Sequence, residues 1–307
     1  MTITVSIIII GKDEAPTLSG SIRSARRALD EAGVAGEVLY ADSGSKDGSA
    51  QIACNLGIQV VSIARDTANA ARARNAGLDR ARGVWVHFLD GDMELLPGWL
   101  PAALDAAQAG SLDGVGGTVV EAMDEASIWS RAFGHDWAAR GPRTGEIGGA
   151  GLWRRATLSV VRGFDESLDV GEDPDLCRRM ADRGYRIERL DHPMATHRLG
   201  LESFGAWWRR AVAVGRSTMI IGQRHRDIGL LLRRFLLPIL GLALLAYPGL
   251  WPVTPLLALL WYARRVWLDR GEGLPVGDAF LHSIHVYAVR APQLVGGISA
   301  LAKAVRS

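Results

Sequence analysis

Asp90 and Asp92 stand one residue apart, with Gly91 between them, at the end of the apolar run Val84-Trp85-Val86-His87-Phe88-Leu89. The run reads as a buried strand, so both carboxylates fall where that strand must end. The glycine between them lets both turn toward one point outside a sheet. Such a pair suits a hard divalent cation carrying a substrate phosphate, because that cation takes oxygen ligands and keeps open positions. Acidic pairs are also common in surface loops, and the weight of this one comes from two further clusters. Gly11-Lys12-Asp13-Glu14 follows one apolar run, and Asp42-Ser43-Gly44-Ser45 follows another.

The elements that carry these clusters alternate. Residues 4–10 are continuous and β-branched, as in a strand buried on both faces. Residues 15–32 carry apolar side chains at helical spacing, and 37–41 reads as a second strand. A short helix over 49–57, a strand over 59–63, a helix over 69–81 and a strand over 84–89 complete the pattern. This order predicts a parallel sheet with helices on both faces. Ligands of such sheets bind outside the carboxyl ends of the strands, which is where all three clusters fall. Each cluster alone has a plainer reading. Residues 42–48 could be a turn and a helix cap. Asp13 and Glu14 could open a helix. Arg72, Arg74 and Asn75 could form a solvated helix face. Their convergence on one edge is the stronger signal.

The chain has 307 residues, enough for one large or two ordinary domains. A net charge of +2 argues against a nucleic-acid binder, and no nucleic-acid partner is expected. The charge is uneven: from Arg224 to the end, ten Arg and Lys stand against four Asp and Glu. A mildly acidic body therefore carries a basic, apolar tail, which suits an anionic membrane surface. Cys54 and Cys177 lie far apart in helix-like stretches and are expected as packed thiols in a reducing cytosol. Residues 1–10 have no basic region before the apolar run and are not expected to act as a secretory signal.

Three ordered blocks resemble a family 2 glycosyltransferase over residues 5–197. The first is Val5-Ser6-Ile7-Ile8-Ile9-Ile10 with Asp13-Glu14 and Asp42-Ser43-Gly44-Ser45-Lys46-Asp47-Gly48-Ser49. The second is Ala73-Arg74-Asn75-Ala76-Gly77 followed by Phe88-Leu89-Asp90-Gly91-Asp92. The third is Gly163-Phe164-Asp165-Glu166 and Gly171-Glu172-Asp173-Pro174-Asp175-Leu176, with His197 downstream.

The resemblance implies an α/β GT-A fold, here expected as a mostly parallel sheet, a nucleotide-sugar donor, Mn²⁺ or Mg²⁺, and inversion at the anomeric carbon. By that resemblance Asp92 binds the metal directly, Asp90 reaches the ribose or the metal's water shell, and His197 completes the metal site. His197 could instead be a packing histidine near a strand end. The resemblance makes Asp173 the base that takes the acceptor's proton. Glu172 and Asp173 also suit a helix start, since Pro174 marks a first turn. Asp42 matches the residue that contacts the base or ribose, and Glu14 and Arg74 lie near the nucleotide. Many relatives have two adjacent aspartates where this chain has Asp42-Ser43, so uridine, guanosine and thymidine donors all stay open.

The tail sets the expected location. Phe204, Trp207, Trp208, Arg209 and Arg210 form an aromatic and basic cluster, expected either as an interfacial helix near the active-site mouth or as helix packing. Residues 235–263 contain no charged or histidine residue but are broken by four prolines, and each half is shorter than the roughly 20 residues of a spanning helix. Arg233-Arg234 and Arg264-Arg265 flank the stretch, which favours a cytoplasmic location for both ends. A re-entrant or two-helix hairpin turning at Tyr247-Pro248-Gly249 is expected, with a buried helical pair as the alternative. Residues 279–302 are expected on the membrane surface or packed on the hairpin. The domains are then residues 1–200, a catalytic GT-A domain; 201–228, an interfacial helix region; and 229–307, membrane-associated helices. The expected activity is a metal-dependent inverting transfer from a nucleotide-sugar donor to a lipid or lipid-linked saccharide on the cytoplasmic face of the membrane. A polyprenyl-phosphate sugar synthase and a catalytically silent nucleotide- or sugar-binding scaffold among membrane lipids are the rivals.

Overall fold

A run of four isoleucines fits a pleated strand with no polar face. Strand β1 (Val5–Gly11) is buried along its apolar length, with Ile7 and Ile9 in the core on one side of the sheet and Ile8 and Ile10 in the core on the other. A computed structural model of the chain describes residues 3–122, 127–137, 143–198, 200–236, 239–240 and 254–306. In it β1 pairs in parallel with β2 (Gly36–Asp42) on one side and β4 (Trp85–Asp90) on the other, and β3 (Gln59–Ser62) adds outside β2. The crossovers are α1 (Leu18–Ala32), α2 (Ser49–Asn55) and α3 (Ala70–Arg80). Register aligns the strand ends: Gly11 stands opposite Asp42, and Ile10 opposite Asp90. The first half is thus the alternating parallel unit expected from the residue pattern.

The second half corrects the expectation of a mostly parallel sheet. Strands β5 (Met93–Leu95), β6 (Gly114–Glu121), β7 (Arg143–Thr144), β8 (Gly151–Arg154) and β9 (Ile187–His197) extend the sheet in the order β3-β2-β1-β4-β8-β6-β9-β5, with β7 on β9. Only β6 with β9 is parallel there; β8 runs against both β4 and β6, and β9 against β5 and β7. Hydrophobic pattern marks a strand but not its direction, and short strands such as β8 carry no crossover signal of their own. The reversal has a use. Because β8 is antiparallel, its first residue, Gly151, pairs with Phe88 near the end of β4, and the loop before β8 arrives at the Asp90 edge. Helices α4 (Trp99–Ala109), α6 (Arg155–Val160) and α7 (Glu172–Ala181) cover the faces.

The chain divides into two compact units, one of Met1–Ala122 with Ala138–Arg198 and one of Met123–Trp137 with Leu199–Ser307. Helix α5 (Ile128–Trp137) belongs to the second, although it lies within the residues expected to form the catalytic domain. That second unit is helical: α8 (Phe204–Arg224), α9 (Ile228–Leu231) with a π-helical turn at Leu232–Leu236, α10 (Thr254–Gly271), α11 (Val276–Ala288) and α12 (Arg290–Arg306). Helices α8 and α12 meet at glycines: a Cβ on Gly215 would strike the Gln293 backbone, and one on Gly296 the backbone of Val212. Trp207 is only 4% exposed, and its indole N–H donates to His285 Nδ1 at 3.0 Å. It is therefore a packing residue of this unit rather than one facing headgroups, because an indole with both its ring and its N–H satisfied internally has nothing left for an interface. Trp208 is half-buried, Arg209 exposed, and Arg210 lies over the Phe133 ring at 5.5 Å. Among the described residues no helix is long and apolar enough to cross a membrane. The expected turn at Tyr247-Pro248-Gly249 lies outside the described residues. Both cysteines are free; Cys177 is packed as expected, whereas Cys54 is exposed.

Candidate active site

The loops after β1 and β2 are tied to each other before they reach any ligand. Asp13 adopts φ 61°, a left-handed conformation that aspartate tolerates. Its carboxylate accepts from the Lys46 backbone at 2.7 Å and from Arg65 at 2.8 Å, and Arg65 together with that backbone N–H holds it below the usual carboxylate range. Asp47 accepts from the backbone of Ala15 at 2.8 Å and of Ser49 at 3.0 Å, so it holds the first N–H of α2 and clamps the β1 loop at once. Asp42 is buried, taking the Tyr40 hydroxyl at 3.2 Å and the Ser45 backbone at 3.1 Å. Much of the Asp42–Ser49 motif is therefore turn architecture, as its plainer reading held.

Glu14, Asp90 and Asp92 gather beyond these loops. Gly91 is needed because a Cβ there would stand 2.9 Å from Glu14 Cγ. Burial, then the neighbouring charge of Asp92, pushes the Glu14 carboxyl up to about 7. Burial also raises Asp90, opposed by Arg74. An acidic group short of cations is what a bound cation or a phosphate-bearing metal would relieve.

His197 is placed by register. As the last residue of β9 it stands opposite Met93 on one side and Glu121 on the other. Its Nδ1 lies 2.6 Å from Glu121 Oε1 and its Nε2 lies 3.2 Å from Asp92 Oδ2. Burial alone would lower its pKa; the hydrogen bonds to Asp92 and Glu121 outweigh this and raise it to about 10. Among the described residues no three His, Cys, Asp or Glu side chains form a ready metal cage. The pair Asp92 and His197 nevertheless fits one edge of such an ion. Adjacent ligands on an octahedral cation stand about 3 Å apart. Glu121 holds Nδ1, so Nε2 is the nitrogen that would face a cation, once the cation has displaced its proton, in the usual carboxylate–histidine arrangement.

Arg74 lies beside Asp90 in the interior and is not part of a solvated helix face. It is 3% exposed. Its guanidinium donates to Glu172 Oε1 at 2.5 Å and to Asp90 Oδ1 at 3.0 Å, and lies 5.4 Å from the Phe164 ring centroid. A Cβ on Gly149 would run into that guanidinium. Arg74 thus joins the Asp90 loop to the start of α7 and is engaged by protein on several sides. Neighbouring Asn75 does parallel work, accepting from the Phe164 N–H at 2.9 Å and donating to the Phe164 carbonyl at 2.9 Å.

Helix α7 is preceded by its N-cap Gly171, whose φ of 87° favours glycine. Three acids crowd its first turn and divide the labour. Glu172 binds Arg74, and fully buried Asp175 binds Arg179 at 2.7 Å. Asp173, partly exposed, has its own backbone N–H and the charge of Arg74 in support. Burial, then the charge of Glu172, pushes it up to about 7. A carboxyl balanced near neutrality can both accept and hold a proton, as a general base must. Three participants escaped the residue pattern: Glu121, Glu172 as the Arg74 partner, and Gly149. An acid at the end of a strand is the only trace Glu121 leaves in sequence.

Comparison with known proteins bears on the fold that carries this geometry. Residues 6–157 match the model of the family described as Glycosyl transferase family 2. A pre-mycofactocin glycosyltransferase of Mycobacterium tuberculosis H37Rv is 28% identical over 170 residues, 51% of this chain and 36% of that protein. The chain thus spans about a third of the length of the mycobacterial relatives it matches. Glycosyltransferase AglE of Haloferax volcanii is 25% identical over 230 residues, 71% of this chain and 72% of that one. S. aureus TarS 1-349, solved with UDP, superposes with a TM-score of 0.52 at 16% identity, covering 97% of this chain and 90% of its own. The same protein with UDP-GlcNAc gives 0.54. These likenesses establish a shared fold.

Proposed function

We propose that the chain, whose residues 6–157 match the Glycosyl transferase family 2 model, is a member of that family and transfers a glycosyl group from a nucleotide sugar to an acceptor hydroxyl with inversion. The observation that carries this reading is the meeting of Glu14, Asp90, Asp92 and His197 with the Arg74–Glu172–Asp173 group at the carboxyl edge of one sheet. TarS, of the same fold, has been solved with UDP and with UDP-GlcNAc, which supports a nucleotide-sugar donor here.

The acceptor oxygen attacks the anomeric carbon from the face opposite the nucleotide. Its proton passes to the Asp173 carboxylate as the new C–O bond forms. The bond to the diphosphate breaks and that electron pair leaves on a phosphate oxygen. Asp92 and His197 would hold Mn²⁺ or Mg²⁺, whose charge, when bound, offsets the negative charge growing on the diphosphate. Arg74 keeps Asp90 and the Asp173 turn at a fixed separation, so the donor and the base face each other in one geometry.

A lipid or lipid-linked saccharide acceptor at the cytoplasmic membrane face suits the second unit. Leu256, Leu257, Leu259, Leu260 and Trp261 on α10 are each more than half exposed. Arg264 and Arg265 follow on the same helix. Apolar side chains beside arginines match the boundary between acyl chains and anionic headgroups.

The test is release of nucleoside diphosphate from UDP-, GDP- and TDP-sugars, with and without a lipid extract. Excess chelator should abolish release and Mn²⁺ or Mg²⁺ restore it, while Asp92→Asn stays folded and inactive. Full turnover in chelator removes the metal, and no release from any donor removes the reading. A preference for polyprenyl phosphate over hydroxyl acceptors would turn it toward the phosphate-acceptor synthase.

A further inference from the structure

We infer that Gly148 is the position that sets how large an acceptor can reach Asp173; this rests on the reading of Asp173 as the base. The loop before β8 contains two adjacent glycines with opposite surroundings. Gly149 is buried, and any Cβ there meets the Arg74 guanidinium. Gly148 is exposed, and among the described residues, its chain neighbours aside, the only atom within 4 Å of a Cβ placed on it is Asp173 Oδ2, at 3.8 Å. Gly149 is a glycine because the protein fills its space. At Gly148 the space is left open, directly beside the carboxylate oxygen.

Neither conformation nor mobility accounts for Gly148. Its φ lies outside the left-handed region, so an L side chain is permitted there. The residues on both sides fix its place: Ile147 is in the core and its carbonyl accepts from Cys177 Sγ at 3.3 Å, and Gly149 is held against Arg74. A bare backbone is therefore presented at a set distance from the base. A saccharide ring can lie against such a surface while one hydroxyl reaches the carboxylate. A side chain at 148 would occupy that approach and leave the Asp92–His197 region untouched.

The experiment uses the full chain, the best donor from the panel, and two acceptors of different size, glycerol and n-octyl β-glucoside. Gly148→Val should raise the KM for n-octyl β-glucoside about tenfold or more, the scale of an overpacked contact. Its effect on the glycerol KM should be smaller, and the donor KM should not move with the acceptor KM. Gly148→Ala should shift the acceptor KM in the same direction by less. Both should melt close to the parent, because among the described residues a Cβ at 148 meets no packed atom. An octyl glucoside KM for Gly148→Val within about twofold of the parent overturns the inference. So does a parallel rise in donor and acceptor KM, which would mean a general disturbance. Asp173→Asn, assayed alongside, should lose transfer to both acceptors alike, so a failed base and a failed acceptor gate read out in different variants.

Discussion

Both units bury paired carboxylates, such as Asp175 with Arg179 in the sheet unit, but the acids at the edge of the sheet contrast with the best-satisfied acid of the helical unit. In the helical unit, Asp269 is surrounded by donors: Arg265 NH2 at 2.6 Å, Arg265 Nε at 3.2 Å, Ser283 Oγ at 3.2 Å, and His282 Nδ1 at 3.1 Å. Arg131 pairs with Asp278 in the same unit. In the sheet unit, Asp173 is pushed up to about 7 by burial and by Glu172, and Glu14 to the same region by burial and Asp92. A buried charge with its full set of donors is architecture. One left in an unfavourable state awaits a partner from outside, which is how functional sites differ from structural ones.

The sharpest way to break this contrast is Asp173→Asn. Turnover should fall by about 100-fold to 10⁴-fold, the range of general-base catalysis, with nucleotide binding kept. In the parent, kcat/KM should fall as the pH drops through about 7, since the base must be ionised. Stability should move the other way. The folded pKa of Asp173 is raised above its ordinary value of 3.8, so the stability its protonated form contributes is complete below that value and lost as pH rises through about 7. Asp173→Asn should therefore raise the Tm at pH 8 and gain less at pH 5. A lower Tm at pH 8 would place Asp173 among the structural acids.

Asp269→Ala should do the reverse. It strips a buried partner from Arg265 and His282, and a cost of about 3–5 kcal/mol is expected in denaturant unfolding. Turnover per folded molecule should stay near that of the parent. A large fall in kcat without loss of stability would dissolve the distinction between the units.

Arg74→Lys tests the tie between the two sides of the site. One ammonium cannot reproduce a guanidinium fork that meets Glu172 and Asp90 through separate nitrogens. A drop in kcat of about 10–100-fold, the usual effect of a supporting residue, is expected with a smaller change in donor KM. The smallest effect belongs to Trp207→Phe. It removes the hydrogen bond to His285 and should cost about 1 kcal/mol of unfolding free energy, and, if the proposed membrane association holds, leave vesicle binding unchanged. Release from vesicles would restore Trp207 to the interface.

How far the residues announced this arrangement varies along the chain. The parallel half was legible because four isoleucines, the helical spacing of α1 and the acids at Asp42 and Asp90 all speak of local structure. The ends of those strands had to converge once the sheet was parallel. The antiparallel half was less legible, since β8 is four residues long and its direction depends on distant partners. The family resemblance set Arg74 near the nucleotide, but its residue pattern fitted a solvated helix face equally well, and its packing against Gly149 and Phe164 shows it to be interior. Glu121 gave no motif at all, because its role comes from strand register with His197. The aromatic cluster around Trp207 was ambiguous for a related reason: tryptophan suits a packed interior as well as an interface.

The glycine contact between α8 and α12 carries a consequence for the environment in which the helical unit can hold together. Association of large aliphatic surfaces draws its force from water and weakens when the medium is itself hydrocarbon. Helices that meet backbone to backbone, as at Gly215 and Gly296, are held instead by close van der Waals contact, which does not depend on the surrounding solvent. This pair of helices can therefore keep its crossing whether the medium around it is aqueous, micellar or lipid.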